Sequence, residues 1–418
     1  MKHLCQVRLL VLLFVLISCP QAETAPPDLA ETLESHVRFL ASDSLEGRLP
    51  GTPGIDKAAA YIAEEFEAIG LEPAFGESYF QEFEIQLGIE VTEGPYLRFS
   101  DSPPVPAGDI TVVPISGSGG IDLERLSRKR IPWAADGYSG AIVFDSVPDE
   151  VEEERWTMMG RDGVLEYMRT EASRFEEQGA RGVVFVTDSE ESGSGVHSFP
   201  IRRSYMQVGI PVVETTRDAL LSAGMAGKGA WPCSLSVTVK PRTIRVKNVG
   251  AIRRGTTRAN ECVVMGAHYD HLGYGDIASS TPWRREVHNG ADDNASGVAA
   301  LIETARWIVN AGPQERSVVC IAFTAEELGA LGSEYYCKHP PFPIENTIAM
   351  INLDTIGRME EMKLIVFGAL SAEEMSEVLR SEVRYGLEII EKKEIYGFSD
   401  QNPFYARGIP APFLHRRI

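Results

Sequence analysis

The stretch Cys262-Val263-Val264-Met265-Gly266-Ala267-His268-Tyr269-Asp270-His271-Leu272-Gly273 begins as an apolar run of strand type and ends in histidines and an acid. Three later stretches repeat this passage from regular structure to polar chemistry. Asn289-Gly290-Ala291-Asp292-Asp293-Asn294-Ala295-Ser296-Gly297 sets paired aspartates ahead of a helical pattern over 296–310, with Val298, Leu301, Ile302, Ala305 and Ile308 on its apolar face. The strand-like run 317–323 leads into Thr324-Ala325-Glu326-Glu327, and the run 348–353 leads into Asp354. A strand over 363–367 and a helix over 371–385 follow. From residue 243 onward, strands and helices alternate, which predicts an α/β sheet. In such sheets ligands bind beyond the carboxyl ends of the strands, where His268, Glu326, Glu327 and Asp354 all fall.

One imidazole with several carboxylates is a mixed nitrogen and oxygen donor set suited to Zn²⁺ or a similar divalent ion. Asp270, two residues after His268, is placed to accept the imidazole's second N–H and fix its tautomer. Asp292 and Asp293 precede a helix N-terminus, where the dipole favours negative charge and Asn294 or Ser296 can cap. With adjacent glutamates, one carboxylate can bind metal while the other handles a proton. Each piece alone has an ordinary explanation: a hydrogen-bonded pair, a helix cap, solvated surface charge. Four of them at successive strand ends are hard to explain structurally.

The rest of the chain frames this region. Residues 29–40 and 55–69 have helical spacing, and Gly70 is a natural stop for the second helix. Between 91 and 242 the texture shifts to Gly, Ser and Pro with short β-rich runs at 140–145, 182–187 and 210–213 and a helix over 164–179. This stretch reads as a separate inserted domain without a catalytic set, and its acidic run 149–154 reads as a solvated face. At the start, Lys2 and Arg8 flank an apolar run over 9–17 that is too short to span a membrane. The sequence Leu16-Ile17-Ser18-Cys19 resembles a lipobox, so residues 1–19 are expected to be a signal peptide, with Cys19 lipid-anchored to the bacterial envelope. The weaker alternative is plain secretion; both place the chain outside the cytoplasm. The 418 residues carry 60 acidic against 40 basic side chains, a net charge of −20, which argues against a nucleic-acid partner. None of the six cysteines forms a Cys-x-x-Cys pair, so zinc-ribbon chemistry is excluded, and Cys262 and Cys320 are expected to be small buried residues.

The motifs Ala-His-Tyr-Asp-His-Leu-Gly, Asn-Gly-Ala-Asp-Asp-Asn-Ala-Ser-Gly and Ala-Glu-Glu-Leu-Gly-x-Leu-Gly-Ser resemble those of the bacterial zinc aminopeptidases. These are co-catalytic two-metal exopeptidases, a family with glutamate carboxypeptidase-like members. The opening segment 39–48 is similar too, and the insert resembles a protease-associated domain. The resemblance implies a mixed central β-sheet flanked by helices, formed by 28–90 and 243–418 around an insert at 91–242. It also implies a peptide substrate. By residue, it makes Asp293 the bridge between two zinc ions, adds His268 and Asp354 to one site, and adds Glu327 to the other. Glu326 would be the general base and Asp270 the orienting partner of His268, with a cis peptide following Asp293. His197, His271, His288 and His339 are left as structural or surface histidines.

The chain departs from the family near its end. Family members carry a further histidine ligand in a stretch like Phe-Phe-Thr-Gly-x-His-x-Asp-Tyr-His, whereas here Phe413 is followed by Leu414-His415-Arg416-Arg417-Ile418. A one-base shift of codons for this tail reads Phe-Thr-Gly-Ala, so a frameshift is expected. As written, the chain is expected to have one well-formed zinc site and a defective second one, and to lack the sheet's last strand and helix. Weak activity and poor stability would follow. Two other functions fit the motifs: a single-zinc glutaminyl cyclase-like enzyme, or an inactive relative that binds peptides.

Overall fold

The computed structural model describes residues 28–99, 102–113, 116, 119–122, 141–146, 160–187, 208–225, 233–275, 286–358, 363–369, 388–392 and 399–415. The signal segment, Cys19, the acidic run 149–154 and the helix expected over 371–385 lie outside them. The chain divides into two compact units, with boundaries between Ile85 and Gln86 and between Ile244 and Arg245.

In the first unit, helices α1 (Leu29–Leu40) and α2 (Pro53–Ile69) precede strand β1 (Glu72–Pro73) and the start of β2 (Phe80–Phe99), which runs on into the second unit. Pro at the first turn of α2 and Gly70 at its end, with φ 84°, bound that helix by the usual asymmetry of Pro-start and Gly-stop. The second unit holds β3 (Ile110–Val112), β4 (Gly119–Asp122), β5 (Ile142–Ser146), α3 (Gly160–Glu177), β6 (Gly182–Thr187), β7 (Val212–Thr216) and α4 (Arg217–Ser222). The long β8 (Cys233–Arg253) returns the chain to the first unit. There β9 (Arg258–His268), α5 (Ser296–Asn310), β10 (Arg316–Phe323), α6 (Leu331–Lys338), β11 (Thr347–Leu353), β12 (Lys363–Phe367), β13 (Glu388–Lys392), α7 (Gln401–Tyr405) and β14 (Phe413–His415) follow.

The central sheet runs β1-β8-β10-β9-β11-β14-β12-β13. β9 is parallel to both β10 and β11, while β8 and β12 supply antiparallel pairs, so the sheet is mixed. Strand periodicity of two splits its side chains between two layers. Met265 and Ala267 join one core with Leu33, Ile62, Phe66, Leu301 and Ile302 of the helices α1, α2 and α5. Cys262 and Val264 point the other way, into a core with Phe323, Tyr336 and Phe404 on the α6 and α7 side. Helices therefore cover both faces, and the parallel strands read as near-continuous apolar runs because each face is buried. No helix among the described residues is long and apolar enough to cross a membrane. Cys233, Cys262, Cys320 and Cys337 are all buried free thiols.

The last described segment, β14, enters the sheet between β11 and β12. Phe413 and Leu414 pair in parallel with Asn352 and Leu353, and Ile365 to Phe367 pair with the same segment from the other side. Burial of Phe413 and Leu414, with backbone N–H groups of Met350 and Asn352 donating to Pro410 and Pro412, holds this short segment in the sheet. The β-rich runs expected of the insert are strands: its described residues form a four-stranded sheet, β3-β7-β6-β5, in which β5, β6 and β7 are parallel and α3 lies between β5 and β6 in sequence. β6 is buried at every position, as a two-sided parallel strand should be.

Candidate metal centre

His268 is the last residue of β9 and pairs in register with Phe323, the last of β10. Asp354 follows the end of β11, and Asp293 sits in the turn Ala291–Ala295 that leads into α5. The parallel alignment of the three strands brings their carboxyl ends to one edge, so residues far apart in sequence converge there. His268 Nε2 lies 3.2 Å from Asp293 Oδ1, 3.5 Å from Asp354 Oδ1 and 4.0 Å from Glu326 Oε2. Tetrahedral zinc with bonds of about 2.0–2.2 Å separates its ligand atoms by roughly 3.4 Å, and the first two distances bracket that spacing. The donor set of His268, Asp293 and Asp354 therefore fits a divalent cation.

The imidazole is held in one tautomer. Its Nδ1 stands 3.2 Å from the main-chain oxygen of Asp270, which can only accept, so Nδ1 carries the proton and Nε2 faces the carboxylates. This corrects the expected geometry. The Asp270 carboxylate is 3.8 Å from Nδ1 and is occupied elsewhere, accepting from the amides of Glu326 (3.1 Å) and Glu327 (3.3 Å). Ala325, with φ 56°, turns the chain into the left-handed region just before those two amides. Asp270 thus orients the imidazole through its backbone and the two glutamates through its side chain.

The loop ahead of α5 is equally fixed. The Asp293–Asn294 peptide is cis, as the resemblance implies. Asn294 Oδ1 accepts from Gly297 N (3.0 Å) and Thr355 N (3.2 Å), and Asn294 Nδ2 donates to Leu353 O (2.9 Å), tying this loop to the end of β11. Ser399 Oγ donates to Asp354 Oδ2 at 2.9 Å and accepts from Asn352 Nδ2 at 2.9 Å, which orients the aspartate.

Electrostatically the site is strained in favour of a cation. Burial pulls His268 down, but Glu326, Asp354 and Asp293 outweigh it and hold the imidazole well above its usual range. Glu326 is pushed well up by burial, with Asp354, Asp400 and Glu327 adding to the effect against the pull of His268. Burial raises Asp270 to about 6. Asp293 goes the other way: burial is outweighed by His268, His271 and Arg48, and its carboxyl falls to about 2.

All six residues singled out from sequence lie at this strand edge. A second group joins Asp293 and Glu327 to His271, which the sequence left among the structural histidines. His271 Nδ1 is 2.7 Å from Glu327 Oε1, and donor atoms of His271, Asp293 and Glu327 lie within 4.8 Å of one another. Asp400 was also missed. It is completely buried, raised to about 7 by burial and by Asp270 and Asp354 against the pull of His268. It lies in the stretch Ser399–Phe404 that follows the family pattern, but one residue before α7, where it reads equally well as a helix cap.

Residues 248–417 match the family described as Peptidase family M28. Aminopeptidase YwaD of Bacillus subtilis (strain 168) is 25% identical over 317 residues, covering 76% of this chain and 60% of that protein. A probable lipoprotein aminopeptidase, LpqL, of Mycobacterium tuberculosis is 26% identical over 332 residues, covering 77% of this chain and 57% of that protein. The chain thus spans about six tenths of the length of these relatives. Among solved structures, a zinc aminopeptidase from Bacillus subtilis shares the fold with a TM-score of 0.51 and 21% identity, over 92% of this chain and 84% of that one.

Proposed function

With residues 248–417 matched to peptidase family M28, we propose that the chain is a zinc-dependent aminopeptidase acting on peptides outside the cytoplasm. The observation that carries this reading is the convergence of His268, Asp293 and Asp354 on one point, with Glu326 beside the same imidazole nitrogen. His268, Asp293 and Asp354 would hold the ion. Zinc, when bound, polarises the scissile carbonyl and brings the pKa of water towards neutrality.

Glu326 is the general base: its carboxylate takes the proton of the attacking water and returns it to the departing amine. The Asp270 carboxylate holds the Glu326 amide and its carbonyl holds the His268 ring, so one residue sets base and ligand in common register.

The opening basic residues, the apolar run 9–17 and Cys19 support export with a lipid anchor, and residues 91–242 are assigned as a protease-associated insert. Hydrolysis of aminoacyl p-nitroanilides tests the reading. Glu326→Gln is expected to lower kcat by about 10²–10⁴ while zinc content holds, and an N-acetylated substrate is expected to resist cleavage. Cyclisation of an N-terminal glutamine peptide in place of hydrolysis would overturn the proposal.

A further inference from the structure

Resting on that reading, we infer that His271 is the imidazole ligand of a second metal site completed by Asp293 and Glu327, so that Asp293 serves two ions. One imidazole with two carboxylates is the same donor class as the first set, and the three donor atoms lie within 4.8 Å of one another. A carboxylate has two oxygens, so Asp293, whose Oδ1 lies 3.2 Å from His268 Nε2, would have an oxygen to offer each site.

The surroundings place each ligand. His271 is buried, and its amide donates to Arg48 O at 3.2 Å, which sets the direction the chain takes after Asp270. Gly290, with φ 58°, lets the loop carrying Asp293 approach the ring: a Cβ there would stand 2.6 Å from His271 Cδ2 and 2.3 Å from Asp293 O. The Asp270 carboxylate fixes the Glu327 amide at 3.3 Å. His271 Nδ1 and Glu327 Oε1, at 2.7 Å, share a hydrogen bond. Ligands of tetrahedral zinc sit roughly 0.7 Å further apart, so the pair would have to open slightly to hold an ion. The plain alternative is that His271 and Glu327 are a hydrogen-bonded pair and nothing more.

Zinc bound to the full chain is counted by equilibrium dialysis with elemental analysis, for the unaltered protein, His271→Ala and Asp354→Asn. Co²⁺ absorption is followed per equivalent added, and circular dichroism checks folding. The unaltered protein is expected to hold two ions. His271→Ala is expected to hold one, with the other weakened at least about 100-fold, beyond the range for losing a residue that only supports a ligand, and the second Co²⁺ band lost. Asp354→Asn is expected to lose the other ion. If His271→Ala fails to fold, His271→Gln, which keeps the side-chain length, is read in its place. Two ions retained without the imidazole would overturn the assignment of His271. A single ion in the unaltered protein would overturn the second site and leave the first, with the proposed activity, standing. No ion at all would overturn both.

Discussion

Arg48 is 1% exposed, yet its guanidinium makes four hydrogen bonds to main-chain oxygens. It donates to the carbonyls of Leu40, Tyr269 (2.8 Å), Asn289 (2.7 Å) and Gly290 (3.0 Å). Those carbonyls belong to the end of α1, the turn after His268 and the loop before Asp293, so one side chain fastens both loops that carry candidate ligands to the N-terminal segment. Burial lowers its pKa to about 10, with Asp270, Asp293 and Glu327 opposing that fall. Arg48→Met keeps the apolar stem but leaves four carbonyls without their donor. We expect a loss of about 3–5 kcal/mol, read from urea unfolding of the ion-free protein; a loss below about 1 kcal/mol would show that water replaces the guanidinium. The same residue explains what sequence could and could not reveal. His268, Asp293, Glu326, Glu327 and Asp354 were legible because each is a reactive group at the end of a recognisable run. His271 was not, because whether two histidines three residues apart face the same site depends on the turn between them. That turn is set by Arg48 O, more than two hundred residues away in sequence.

At the scale of elements, α1, α2 and α5 meet on one face of the sheet through apolar side chains and one polar chain. His36 of α1 bonds Tyr61 of α2 (2.6 Å) and Glu303 of α5 (3.1 Å), and Arg306 reaches Glu303 (3.0 Å) and Glu65 (3.0 Å). The helices themselves were legible from periodicity: α1 and α5 match the spans read from sequence, because their apolar stripes face a single core. The chain of polar groups linking them was not, since it requires knowing which helix faces which. Burial favours the neutral form of Glu303, but hydrogen bonds from His36 and Arg306 outweigh it and hold the carboxyl below its usual range. Its contribution is therefore fully present above the ordinary carboxylate pKa and disappears as pH falls towards the lower folded value. Glu303→Gln is expected to cost about 1–3 kcal/mol near pH 7. The gap between variant and parent should shrink below about pH 4. An equal gap at both pH values in denaturant titrations would mean that the carboxylate's charge plays no part.

For the whole molecule, the two units carry separate cores. The apolar clusters around Leu301 and Phe323 draw only on the first unit, and those around Phe185 and Leu220 only on the second. The candidate ligands all belong to the first. Units with independent cores unfold in separate steps unless the chain joining them transmits the strain, so calorimetry is expected to give two transitions. A chelator removes an ion that offsets a crowd of buried carboxylates in one unit alone. Binding at a thousandfold excess over Kd stabilises by about 4 kcal/mol, and a domain of this size shifts by about 2–4 °C per kcal/mol. EDTA should therefore lower one transition by roughly 10 °C and leave the other in place, with added zinc restoring it. The chain has a net charge of −20, so the unaffected transition also serves as the control for ionic strength. A common shift of both transitions would show that the long strands β2 and β8, inside which the boundaries fall, make the two units a single cooperative block.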